Sequence, residues 1–171
     1  MVEKEGVRAI CSACGFFGNY HKEVAAAIDV PVAMSSLVQI PWIRTLLKPG
    51  QKIGILTANG ASMNENLLKN CGVDSFEGLI IKGLEDSEEF SAVVDMRPEF
   101  DNSKAREEVV AVAIQMIEEN DDIGAILLEC SDMPPYAADI QAATQLPVFD
   151  FITLIKWLHN AVMQKPYWGW M

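Results

Sequence analysis

Two stretches of this chain are variants of one pattern. Residues 8–32 read RAICSACGFFGNYHKEVAAAIDVPV and residues 124–148 read GAILLECSDMPPYAADIQAATQLPV. Offset by 116 positions, Ala9 matches Ala125, Ile10 matches Ile126, Cys14 matches Cys130 and Tyr20 matches Tyr136; Ala26, Ala27, Pro31 and Val32 match Ala142, Ala143, Pro147 and Val148. Each copy is an apolar run that stops at a cysteine, turns helical and ends at Pro-Val. Shared packing needs account for the alanines and the Pro-Val, but not for a cysteine at the same step of both copies. A chain built this way is expected to place two similar strand-loop-helix units, each presenting one thiol.

The rest of the chain agrees with a layered α/β protein. Apolar runs at residues 7–13, 32–34, 52–57, 78–81, 123–128 and 148–151 read as buried strands. Between and after them, 20–28, 41–47, 63–70, 104–120, 135–144 and 153–164 read as helices. Near-continuous apolar strands alternating with helices predict parallel sheets covered on both faces. In 104–120 the stripe Val109, Val112, Ala113, Met116 and Ile117 faces a core, and Asn102 or Ser103 is the expected cap. Residues 84–100 read as a solvated loop with room for a short helix, and KPGQK at 48–52 reads as the joint between two lobes. The expected division is residues 1–48 plus 148–171 in a first lobe and 49–147 in a second.

Composition excludes several functions. Lysine and arginine number 13 against 24 aspartates and glutamates, a net charge of −11, with no basic cluster to neutralise phosphates, so nucleic acid is not an expected partner. No run approaches the roughly 20 apolar residues that span a bilayer, and the charged start MVEKEGVRAI does not read as a signal peptide, so the expectation is a cytosolic protein off the membrane. In that compartment the four cysteines are expected reduced, as core or chemical residues.

Cys14 and Cys130 fall at predicted strand ends, where parallel α/β sheets collect ligands. A helix amino terminus there favours the thiolate, which is scarce at neutral pH for an ordinary thiol of pKa about 8.5. Two lobes facing across a cleft would set one thiol on each side of a bound carbon. Inverting a carbon next to a carboxylate or carbonyl needs a base on one face and an acid on the other, and paired cysteines supply both without a cofactor.

The motifs that carry this reading also carry a resemblance. ACGFFGNYHKEVAAAIDVPVAMSSLVQIP (13–41), GILTA (54–58) and ECSDMPPYAADIQAATQLPVFD (129–150) resemble the aspartate/glutamate racemase superfamily, which also holds hydantoin racemases, maleate isomerase and arylmalonate decarboxylase. The resemblance covers nearly the whole chain. It implies a cofactor-independent enzyme of two pseudo-symmetric lobes with the active-site cleft between them, in which Cys14 and Cys130 are the opposed acid and base. By the same resemblance the backbone amides of Gly15 and Phe16, and those after Cys130, hold a carboxylate or enolate oxygen of a small substrate. Thr57 and Ser131 are then hydroxyl contacts.

Two departures refine these expectations. Gly15-Phe16 stands where glutamate and aspartate racemases carry Asn-Thr, which favours a hydantoin or another carbonyl acid over glutamate. Less chain precedes Cys14 than precedes Cys130 within its own lobe, so the first lobe is expected to be shortened at its amino end, with dimerisation as the remedy for an exposed edge. The leading expectation is therefore a racemase or epimerase. Its rivals are an incomplete, non-catalytic scaffold and a thiol redox protein using Cys11 with Cys14.

Other residues take quieter roles. Cys11 aligns with Leu127 and reads as a strand residue, and Cys71 as structural. His21 and His159 are too far apart to suggest a metal site. Strand alternation points Glu129 away from Cys130, leaving Asp132 as the carboxylate expected to tune it. Ser35 and Ser36 either face the cleft or cap a helix, and Tyr20 and Tyr136 suit packing at least as well as substrate contact. The aromatic tail KPYWGWM is assigned no chemistry.

Overall fold

The computed structural model describes residues 2–169. In chain order it contains α1 (Val2–Glu5), β1 (Ile10–Cys11), a 3-10 turn (Gly15–Tyr20), α2 (His21–Ala27), β2 (Val32–Ala33), a second 3-10 turn (Ser36–Gln39) and α3 (Ile40–Leu46). There follow β3 (Lys52–Thr57), α4 (Glu65–Asn70), β4 (Leu79–Gly83), α5 (Ser91–Asp95), α6 (Asn102–Glu119), β5 (Ile123–Leu128), α7 (Ala137–Thr144), β6 (Val148–Phe149) and α8 (Phe151–Val162). Short 3-10 turns at Gly60–Ser62 and Pro134–Tyr136 precede α4 and α7. The chain is α/β, with parallel sheets flanked by helices.

The larger sheet has the order β4-β3-β5-β6, every pair parallel. Its central strands are apolar throughout because both faces are covered. Ile53, Ile55, Ala125 and Leu127 point to the face closed by Ile40 and Ile43 of α3 and Leu67 and Leu68 of α4. Leu56, Ile126 and Leu128 point to the other, closed by Ala105, Val109, Ala113 and Met116 of α6 and Ile140 of α7. The predicted stripe on α6 is thus largely the buried one. Its cap is Asp101, whose carboxylate accepts from the N–H groups of Ser103 and Lys104, one residue before the expected Asn102.

The smaller sheet holds only β1 and β2, paired in parallel over two residues each. Ile10 N–H donates to the Pro31 carbonyl and Ser12 N–H to that of Ala33. The seven-residue run at 7–13 therefore yields a short strand, since a single neighbour offers little ladder. Leu154 and Leu158 of α8 cover this sheet together with Ala33, packed by Ala9, Cys11 and Val38. Val148 and Phe149 pair with β5, while α8 packs against β1 and β2. The segment 84–100 is better anchored than a solvated loop, because Leu84 and Phe90 are fully buried and α5 follows directly. Among the described residues no helix is long and apolar enough to cross a membrane.

Candidate active site

Cys14 follows β1 and stands at the head of the turn Gly15–Tyr20, its backbone extended at φ −73° and ψ 119°. Its carbonyl accepts from Phe17 N–H at 3.2 Å and from the Ser12 hydroxyl at 3.4 Å. As first residues of the turn, Gly15 and Phe16 carry N–H groups with no acceptor inside it, the donor pair expected of an oxyanion site. Phe16 is also half-buried against the core on the α3–α4 side of the larger sheet.

Cys130 follows β5. Its thiol donates to Asp132 Oδ2 at 3.6 Å, and the Ser131 hydroxyl donates to the same oxygen at 3.3 Å. Burial is the main influence on this thiol and pushes it up to about 12, with the carboxylates of Glu129 and Asp132 acting the same way against the Asp132 backbone hydrogen bond. This reverses the expected depression by a helix terminus. The turn after Cys130 opens with Pro134 and Pro135, which have no N–H to offer a thiolate.

The two cysteine loops meet at Gly15 and Glu129. Gly15 is buried against this glutamate so closely that an added Cβ would overlap its carboxylate and stand 2.6 Å from its carbonyl oxygen. Glu129 is 1 % exposed. Thr57, at the end of the neighbouring β3 and itself fully buried, donates to Glu129 Oε2 at 2.7 Å, while Oε1 is buried without a partner. Burial pushes the Glu129 carboxyl up to about 7, against the Thr57 hydrogen bond. Alternation along the strand does not reveal where this side chain goes, which is between the two loops. The signal in the sequence was a carboxylate closing an otherwise apolar buried strand.

Several expected contacts are engaged elsewhere. The Thr57 hydroxyl is committed to Glu129. Ser35 is fully buried and caps the turn Ser36–Gln39, accepting from Leu37 N–H at 3.1 Å. Ser36 is fully buried too, and its hydroxyl reaches the carbonyls of Leu128 at 3.0 Å and Glu129 at 3.3 Å. Both serines are buried, and Ser36 ties the turn Ser36–Gln39 to the strand end that carries Cys130. The matched tyrosines diverge: Tyr136 is buried and donates to Asn102 Oδ1 at 2.9 Å, whereas Tyr20 is exposed. Cys11 is half-buried with its thiol raised by burial, and Cys71 is buried and raised to about 11. His21 accepts the Met34 N–H at Nδ1.

The family model for Asp/Glu/hydantoin racemase matches residues 1–158. The chain belongs to this family. The chain is similar to a dimethylsulfoniopropionate lyase of Durusdinium sp. clade D, 37 % identical over 171 residues, covering 98 % of this chain and 56 % of the lyase. Dimethylsulfoniopropionate lyase 7 of Emiliania huxleyi (strain CCMP1516) is also 37 % identical, covering 98 % of this chain and 51 % of that protein. The chain thus spans about half the length of these lyases. Among solved structures, allantoin racemase from Pseudomonas fluorescens matches 95 % of this chain and 71 % of its own with a TM-score of 0.59. At 16 % identity that likeness speaks for the fold.

Proposed function

We propose that this chain carries the cysteine-based proton-transfer site of an enzyme acting at a carbon next to a carboxylate, and that its reaction is the elimination of dimethyl sulfide from dimethylsulfoniopropionate. The observation that carries the proton-transfer reading is the contact of the two cysteine loops through Gly15 and Glu129. The lyase names of relatives 37 % identical favour elimination over inversion.

In this reading the N–H groups of Gly15 and Phe16 hold the substrate carboxylate, and the Cys14 thiol adds a donor to it as enolate charge develops. Cys130 is the base. Its proton is held tightly above all by burial, but a sulfonium bound beside Asp132 supplies positive charge, so binding favours the thiolate. That thiolate takes the proton from the carbon next to the carboxylate. The freed electron pair forms the carbon–carbon double bond, the carbon–sulfur bond breaks, dimethyl sulfide leaves neutral with its electron pair, and acrylate remains. Cys130 returns to thiolate by losing the proton to solvent.

The matched cysteines also favour a second reading, racemisation, in which Cys14 and Cys130 deliver and remove protons on opposite faces. One experiment separates the two. The chain is incubated with dimethylsulfoniopropionate while headspace dimethyl sulfide and acrylate are followed, and in parallel with amino acids and hydantoins in D2O while exchange at the acidic carbon is followed by NMR. Release of dimethyl sulfide, abolished by Cys130→Ser and reduced by Cys14→Ser, supports the lyase. Exchange with inversion and no dimethyl sulfide would sink it in favour of the racemase.

A further inference from the structure

We propose that Glu129 is a positioning residue of this site that works as a neutral acid, and that its ionisation switches off the thiolate of Cys130. The inference rests on Cys130 being a working thiol and goes beyond that by assigning its control to a residue outside the matched cysteine motif. The first copy of the repeat has Ala13 at the equivalent step.

The geometry argues for a neutral group. Glu129 sits beneath the point where the two loops touch, with one oxygen against Gly15 and no partner, and the other held by Thr57 alone. An ionised carboxylate there would leave a charged oxygen with neither water nor donor, a costly arrangement in a protein interior. No lysine or arginine forms an ion pair with it among the described residues. The thiols whose protons its charge holds more tightly are Cys130 on the same loop and Cys71 at the end of α4; Asp132 lies two residues beyond Cys130, and Cys14 adjoins Gly15 on the first loop. From β3 its side chain meets the Thr57 hydroxyl, and its backbone N–H donates to the Leu56 carbonyl.

Thr57 suits both protonation states. Its oxygen also accepts from Asn59 N–H at 3.3 Å and lies 3.5 Å from the Asn59 carbonyl. When Glu129 is ionised the hydroxyl donates to Oε2. When Glu129 is protonated the acid donates to the hydroxyl, which turns its own proton toward the Asn59 carbonyl. The hydroxyl can therefore serve either protonation state of Glu129 with little movement of heavy atoms, and the change of charge falls next to Cys130.

The test reads the thiol directly. Alkylation of Cys130 by N-ethylmaleimide, located by peptide mass spectrometry, is timed from pH 5.5 to 9 in the wild type and in Glu129→Gln. Glutamine keeps the shape and uncouples the charge. Below pH about 6 the two rates should agree, because the wild-type carboxyl is itself neutral. Above pH about 8 the variant should react about tenfold faster, as expected when one neighbouring like charge is removed. A ratio that stays the same at every pH, or a variant slower than wild type at high pH, overturns the proposal. Thr57→Val supplies a second check that leaves the carboxyl in place. Loss of the hydroxyl that favours ionisation should move the break in the wild-type profile to higher pH, and an unmoved break also overturns it. Both readings are taken without substrate, so an absence of lyase or racemase turnover would refute the proposed reaction while leaving the role of Glu129 to be judged on the thiol alone.

Discussion

Gly15 is the residue whose side chain the site can least accommodate. Gly15→Ala would drive a methyl group into Glu129, which the buried strand end cannot move aside. The expected cost is about 1–3 kcal/mol, as for other overpacked sites, measurable as a lower urea midpoint, with turnover falling further than stability because the two loops are forced apart. Ser36→Ala is expected to cost about 1–2 kcal/mol in the same assay, since it withdraws the hydroxyl from the Leu128 and Glu129 carbonyls. Glu129 makes stability depend on pH. Its carboxyl moves from 4.5 to about 7 on burial, so between those values the folded chain holds a proton that the unfolded chain has released. The contribution of Glu129 to stability is then greatest below about pH 4.5 and is lost as pH rises through about 7, by about 3 kcal/mol in all. Unfolding free energies of wild type and Glu129→Gln should diverge across that window and run parallel above it; parallel lines throughout would contradict the assignment.

At the level of elements, helix α8 shows what a short sequence signal can fix. Asp150 accepts from Thr153 N–H at 2.7 Å while the Thr153 hydroxyl accepts from Asp150 N–H, a reciprocal cap, and Gln39 donates to the Asp150 carbonyl. Asp150→Ala is expected to cost about 1 kcal/mol, and hydrogen exchange should show the loss at the first amides of α8 before the rest of the chain. Strands and helices of the larger sheet were legible to within a few residues because their apolar runs are long and closed on both faces. The smaller sheet was overread, since 7–13 has a strand's composition but only β2 to pair with. In the site, Cys14 and Cys130 stood out through the repeat, and the turn at Gly15 through its glycine. Glu129, Thr57 and Ser36 did not announce their roles, because each depends on which chain segment lies across from it, and periodicity within one segment carries no such information.

For the whole molecule, one exposed aromatic patch lies where α3 meets α8. Trp42 and Trp157 stack at 6.4 Å, Phe149 meets Trp42 edge-on at 5.8 Å, and the two tryptophans are 47 % and 60 % exposed. The expectation of paired chains can be checked by light scattering, where a mass of two chains supports it and a stable single chain removes it. Changes at Trp42 would then separate association from folding, because a Trp42→Ala chain that unfolds at a near-normal midpoint but runs as one copy places the contact there.

The repeat is unequal at a single informative step. Ala13 precedes one cysteine and Glu129 the other, and only the second side chain is enclosed between the loops. Two perfect copies would treat the two sides of a flat intermediate alike, as a reversible inversion demands. A carboxyl on one side alone breaks that equivalence, so a duplicated scaffold of this kind can give its two thiols different tasks by changing one residue outside the thiols themselves.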